Sequence, residues 1–254
     1  MVVALATGAI QVDWLSNIVT AVALVAAIYL WAQMYTSKLV TREEKNRLLG
    51  FIPMFISGVL FFGIFQQQFT VMTIYSDVRL DRHMFGWEIP PSLVQSINPI
   101  FIVIFSAVFA TMWTKLGDRQ WSTPVKFGVA NIVIGISLFF FLPFSGAEAN
   151  STPMFVIVFI LFLFTMAELL LSPVGNALAT KVAPVAFPSR MMAVWMMAVA
   201  MGTSLAGSLA SFYNPDDAGA ENTFFISLGV VSIVLGAILL VLSRWVVKKF
   251  STFR

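Results

Sequence analysis

VIVFILFLFTMAELLLSPVG, residues 156–175, is an apolar run carrying a single acid, Glu168, five residues before Pro173. The run is long enough to cross a bilayer as a helix, which takes about 20 residues. A carboxylate at that depth costs about 2.5–3.5 kcal/mol on insertion scales, so it requires an aqueous cavity, a proton or a cationic partner. No other long apolar stretch of the chain has a charge in its interior. Glu168 therefore either lines an aqueous cavity, where it meets substrate or proton, or is a structural acid hydrogen-bonded to another helix. An i, i+4 step brings Ser172 beneath it, and Pro173 frees the Leu169 carbonyl, giving a polar strip of carboxylate, hydroxyl and carbonyl.

The rest of the chain has the same character. Of 254 residues, 59% are hydrophobic and 11% charged, with 25 phenylalanines. A soluble domain would carry about a quarter charged residues. Seven stretches can span a membrane: 14–35, 50–72, 93–113, 125–143, 153–178, 191–212 and 223–243. Helix is their expected state, because lipid satisfies no free backbone group and the two-residue alternation of a barrel is missing. Cysteine is absent and His83 is the only histidine, so disulfide scaffolds and multi-histidine metal sites are excluded. The first residues, MVVALATGAIQVDW, have no basic region of the kind a cleaved leader carries. No nucleophile elbow, zinc-helix or phosphate-loop motif is present, and no enzyme activity or resident cofactor is expected.

The basic residues set an expected topology. Thirteen of the 15 Lys and Arg fall in alternate connections and after the last span, leaving Arg79 and Arg82 on the other side. The richer side is the cytoplasmic one, which puts the amino terminus outside and the carboxyl terminus inside. The net charge of +3 is spread over short loops and suits anionic lipid better than nucleic acid. His83, with Arg79, Asp81 and Arg82, is expected in a solvated external loop.

Residues 1–36 read as one helix set apart by a charged linker, 37–48, from a six-helix bundle, 49–254. Within the linker, Thr41-Arg-Glu-Glu is a capping-box pattern and starts a short cytoplasmic helix in this reading. Pro53, Gly58, Pro99, Pro173 and Gly175 interrupt spans; of these, Pro99, Pro173 and Gly175 are the expected kinks or hinges. Small residues form rows on 191–212 (Thr203, Gly207, Ser211 and Ala200, Ser204, Ser208) and on the last span (Gly229, Ser232, Gly236, Ala237), as helix contacts do.

Other polar groups join Glu168 and Ser172 as candidates. Gln66, Gln67 and Gln68 share one turn and cannot share a face, so at least one amide points inward, either to meet a substrate or to tie helices. Asn98 presents a donor and an acceptor beside Pro99, either to a substrate or as a cap at the helix entry. Trp195 is read equally as an interface anchor or as a pocket wall.

GWEIPPSLVQSINPIFI (86–102), TKLGDRQWSTPVKF (114–127), AELLLSPVGNALATKVAP (167–184) and MMAVWMMAVAMGTSLAG (191–207) resemble the proton-dependent oligopeptide transporters of the major facilitator superfamily. The resemblance covers essentially the whole chain as helices seven to twelve of that family, with the first span similar to one of the extra helices inserted between the family's halves. It implies an all-α integral membrane fold: a carboxyl-terminal six-helix half preceded by one extra transmembrane helix. It also implies a proton-coupled di- and tripeptide symporter of the bacterial inner membrane, with no cofactor beyond the proton as coupling ion. Glu168 then resembles a tenth-helix glutamate near the peptide's amino end, Asn98 an eighth-helix asparagine that contacts peptide, and Trp195 an eleventh-helix pocket tryptophan. Gln66 and Gln67 stand where many members carry an acid before the seventh-helix glutamine, and Val199 stands where some carry a serine. The family's amino-terminal six helices, with their ExxER-type motif, have no counterpart here. The implied partners are peptide, lipid and an amino-terminal half that is missing or on a separate chain. Half of a carrier for another cationic or drug-like substrate, and a non-transporting membrane fragment, stay open on the residues alone.

Overall fold

The computed structural model describes residues 12–84 and 86–250; residues 1–11 of the 1–36 segment, Phe85 and 251–254 lie outside that description. Its elements are α1 (Val12–Thr36), α2 (Arg42–Phe65), a 3-10 turn (Gln66–Phe69), α3 (Val71–Val78), β1 (His83–Met84), β2 (Trp87–Glu88), α4 (Pro91–Val94), α5 (Ile97–Leu116), α6 (Thr123–Leu138), α7 (Met154–Val182), α8 (Pro188–Ala210) and α9 (Ala218–Phe250). Seven helical segments among the described residues are long and apolar enough to cross a membrane. β1 and β2 form a small antiparallel hairpin between α3 and α4.

The capping box is present. Thr41 N–H donates to Glu44 Oε2 at 2.7 Å and Glu44 N–H to Thr41 Oγ1 at 3.3 Å. The helix it starts is not a separate short one: α2 runs without a break from Arg42 to Phe65, through Pro53. Glu44 Oε1 also accepts from Val185 N–H at 2.8 Å, which fastens the α7–α8 connection to this cap. At its far end the α-helix stops short of the span expected from sequence. Gln66–Phe69 tighten into the 3-10 turn, and the backbone at Thr70 (φ −117°, ψ −88°) resets the path into α3.

α6 and α9 are in close contact because glycines face each other. A Cβ at Gly135 would stand 2.7 Å from the Gly229 carbonyl, and one at Gly128 would stand 2.9 Å from that of Gly236. Such approach is how membrane helices gain packing where lipid offers no hydrophobic drive. Ser232 Oγ donates to the Asn131 carbonyl at 2.8 Å in the same seam. Around that seam α2, α7 and α8 complete the core, with Phe51, Phe61, Phe127, Phe164 and Trp195 fully buried. α5 stands apart. It packs chiefly on α7, and Asn98 is its only buried residue among those described. α1 lies along α8 and touches α2, where Trp31 Nε1 donates to the Leu48 carbonyl at 3.3 Å.

Candidate functional site

Three helices converge at the level of Glu168. The Phe65 ring of α2 lies 6.1 Å from the Phe164 ring of α7, and Asn98 of α5 reaches Thr165 of α7. Asn98 Nδ2 donates to Thr165 Oγ1 at 3.0 Å, and that hydroxyl donates onward to the Leu161 carbonyl at 2.9 Å. The Asn98 side chain also interacts with the Glu168 carboxylate, one helical turn along α7. Glu168 itself is half-buried, and its Oε2 is enclosed without a hydrogen-bond partner among the described residues. A buried acceptor left unmade costs about 1–3 kcal/mol, and more for a charged group, so this oxygen marks a place where a donor belongs. Ser172 is half-buried one turn below it.

The three glutamines separate as their spacing requires. Gln66 Nε2 donates to Thr203 Oγ1 of α8 at 3.0 Å, while its Oε1 is enclosed without a partner among the described residues. Gln67 is saturated by protein. Its Nε2 donates to the Gly63 and Ala206 carbonyls, each at 3.2 Å, and its Oε1 accepts from Thr70 Oγ1 at 2.9 Å. Gln67 thus ties α2 to α8. Gln68 is fully buried, with neither amide atom partnered among the described residues.

The structure gives Trp195 neither of the two expected positions. It is 1% exposed, in the core, with its ring against those of Phe51, Phe62 and Phe127. Gly58 and Gly175 make room for the indole: a Cβ at either position would run into it. Gly175 is therefore a packing glycine. Trp195 Nε1 donates to Asn176 Oδ1 at 2.8 Å, so the tryptophan holds α7 just past Pro173. Asn176 is not among the sequence candidates; its amide three residues after the mid-helix Pro173 is the one local signal that could have found it. Pro99 lies beside an interruption of its span. It sits three residues into α5, and the helical bonding of the Pro91–Arg119 span is interrupted at Gln95–Ser96, where the N–H that proline lacks would have met the Gln95 carbonyl. Pro173 lies inside α7, which continues through it.

Pro173 and Leu169 also line a cleft of about 840 Å³ between α5 and the second half of α7, together with Trp113, Lys126 and Lys181. There Lys126 Nζ stands 3.8 Å over the Trp113 ring and donates to Gln120 Oε1 at 2.9 Å. Glu168, Asn98 and the glutamines are not in its walls.

At the opposite end, residues expected in a solvated loop form a buried network. Arg79 is 8% exposed and pairs with Glu221, which is fully buried, not with Asp81. Arg79 also donates to the carbonyls of Ala147 and Pro215. Glu221 accepts in addition from Tyr213 Oη at 2.8 Å and from Gly146 N–H at 2.9 Å. Burial, then the bond to Glu221, pushes the Tyr213 hydroxyl's pKa up, keeping it a donor. His83 is exposed, as the loop reading required, with Asp81 at 3.5 Å. Among the described residues, no three His, Cys, Asp or Glu gather as a metal site.

Comparison with known proteins gives a family model, described as the POT family, that matches residues 3–238. A di-/tripeptide transporter of Lactococcus lactis subsp. cremoris is 35% identical over 246 residues, which is 94% of this chain and 48% of that protein. A crystal structure of a peptide transporter in complex with alafosfalin superposes with a TM-score of 0.87 at 33% identity, covering 98% of this chain and 51% of that one. A POT family transporter in complex with 5-aminolevulinic acid gives a TM-score of 0.86 at 34% identity, covering 96% of this chain and 51% of its own. The chain spans about half the length of the curated relatives it matches.

Proposed function

The chain belongs to the POT family, and on that footing we propose that it is the carboxyl-terminal half of a proton-coupled di- and tripeptide symporter, supplying one wall of the peptide cavity. The enclosed, unpartnered Oε2 of Glu168 is the observation that carries this reading. A peptide's α-ammonium supplies the N–H donor and the positive charge which that oxygen lacks. Asn98 holds the carboxylate from the side, and the free Oε1 of Gln66 takes an N–H of the peptide backbone. Gln67 and Trp195 act through packing: one fixes α2 against α8, the other fixes α7 beyond Pro173. The site's polar groups are a carboxylate and amides, so the peptide's own carboxylate finds its cation on the amino-terminal half.

The transporter sits in the bacterial inner membrane, with the Arg79–Glu221 end outside and the Thr41 and Lys181 end in the cytoplasm. The proton gradient supplies the drive. The 5-aminolevulinic acid bound by one solved relative favours a second substrate class, small primary amines without a peptide bond, for the same carboxylate.

Reconstitution tests the assignment. Proteoliposomes holding this chain together with an amino-terminal six-helix half are expected to accumulate dipeptide under an inward proton gradient, and those holding the chain alone are not. Gradient-driven uptake by the chain alone would refute the half-transporter reading.

A further inference from the structure

α1 lies outside the six-helix bundle, yet one end of it makes polar, specific contacts with α8. Ser204 Oγ of α8 donates to the Ser16 carbonyl at 2.5 Å, and Ser208 Oγ donates to Asn17 Oδ1 at 2.9 Å. Gly207, between them, lets Ser16 approach: a Cβ there would stand 2.8 Å from its Oγ. Further along, Ala23 and Ala27 of α1 are buried. The adjacent face of α8 holds the glutamine turn, through Thr203 Oγ1 to Gln66 and the Ala206 carbonyl to Gln67. Residues 203 and 206 thus grip the site, while 204, 207 and 208 grip α1, within about one and a half turns of one helix.

We propose that α1 is a positioning helix: its Ser16–Asn17 end braces α8 so that Thr203 holds the Gln66 amide in place for substrate. The proposal rests on the reading of Gln66 as a substrate contact. Hydroxyl bonds between membrane helices are individually modest. Two of them beside a glycine are enough to fix a register, because lipid gives neighbouring registers no hydrophobic penalty. The small-residue row that reads in the sequence as ordinary packing is, in this arrangement, the seat of the brace.

The chain's lack of cysteine makes the test direct. Gln66→Cys with Thr203→Cys, in the otherwise unchanged chain in membranes, reports the α2–α8 separation as a rate of disulfide formation under mild oxidation. Adding Ser204→Ala with Ser208→Ala is expected to slow that rate at least fivefold, and Asn17→Ala alone to slow it measurably. An unchanged rate in both variants overturns the brace, whatever the substrate is. In the transporter completed with its amino-terminal half, Ser204→Ala with Ser208→Ala should raise the dipeptide KM about threefold to tenfold with kcat within twofold. An unchanged KM there, while Glu168→Gln still lowers uptake at least about tenfold, would sink the brace and leave the peptide site standing.

Discussion

Arg79 and Glu221 lie 142 residues apart and form a buried ion pair, with Arg79 Nη2 at 3.3 Å from Glu221 Oε2. Tyr213, Gly146 and two backbone carbonyls complete the pair, so one end of the bundle is pinned at four separate segments: the end of α3, the α6–α7 loop, the α8–α9 loop and the start of α9. Breaking a buried pair from one side leaves an uncompensated charge, which costs about 3–5 kcal/mol, whereas removing both charges costs much less. Arg79→Met is therefore expected to lower the unfolding temperature of the purified chain sharply. Arg79→Met with Glu221→Gln should recover a large part of the loss. A double variant no more stable than Arg79→Met would show that the pair is not the fastening.

Gly175 and Trp195 make a second coupled pair. A methyl group at 175 meets the indole ring, and overpacking of this kind costs about 1–3 kcal/mol. Gly175→Ala should destabilise the chain by that amount in thermal unfolding. Trp195→Phe frees space at the same spot, so the two changes together should cost less than the sum of their separate effects. Strict additivity would contradict the packing described for α7 and α8.

The topology follows from charge placement and is open to a labelling test. Ala149, in the α6–α7 loop, and Asp118, at the end of α5, are both exposed and on opposite ends of the bundle. Ala149→Cys should react with a membrane-impermeant thiol reagent added to whole cells, and Asp118→Cys should react only after the membrane is opened. The reverse pattern would invert the orientation.

What could be read from the sequence was local in kind. The Thr41–Glu44 box is a three-residue relationship, and both of its hydrogen bonds are present. The small residues of the last span announced a close helix contact, though not that Gly128 and Gly135 of α6 would answer them. The helices' existence follows from apolar length alone. Their ends do not: the third span begins at Pro91, and its helical bonding is broken at Gln95–Ser96 ahead of Pro99. The site was legible where a residue type is costly in lipid, as at Glu168. It was illegible where the decision is tertiary. MMAVWMMAVAMG is apolar all round, so nothing local shows that Trp195 faces the core, and nothing near Arg79 in sequence points to Glu221.

Glu168 carries the central claim, that a carboxylate on this half holds the substrate's amine. Glu168→Gln keeps the shape and a hydrogen-bonding oxygen but removes the charge. In the transporter completed with its amino-terminal half and expressed at normal level, proton-driven dipeptide uptake by Glu168→Gln should fall at least about tenfold, or about 1.4 kcal/mol. Uptake at the unmodified rate and KM by the Glu168→Gln protein would contradict the account.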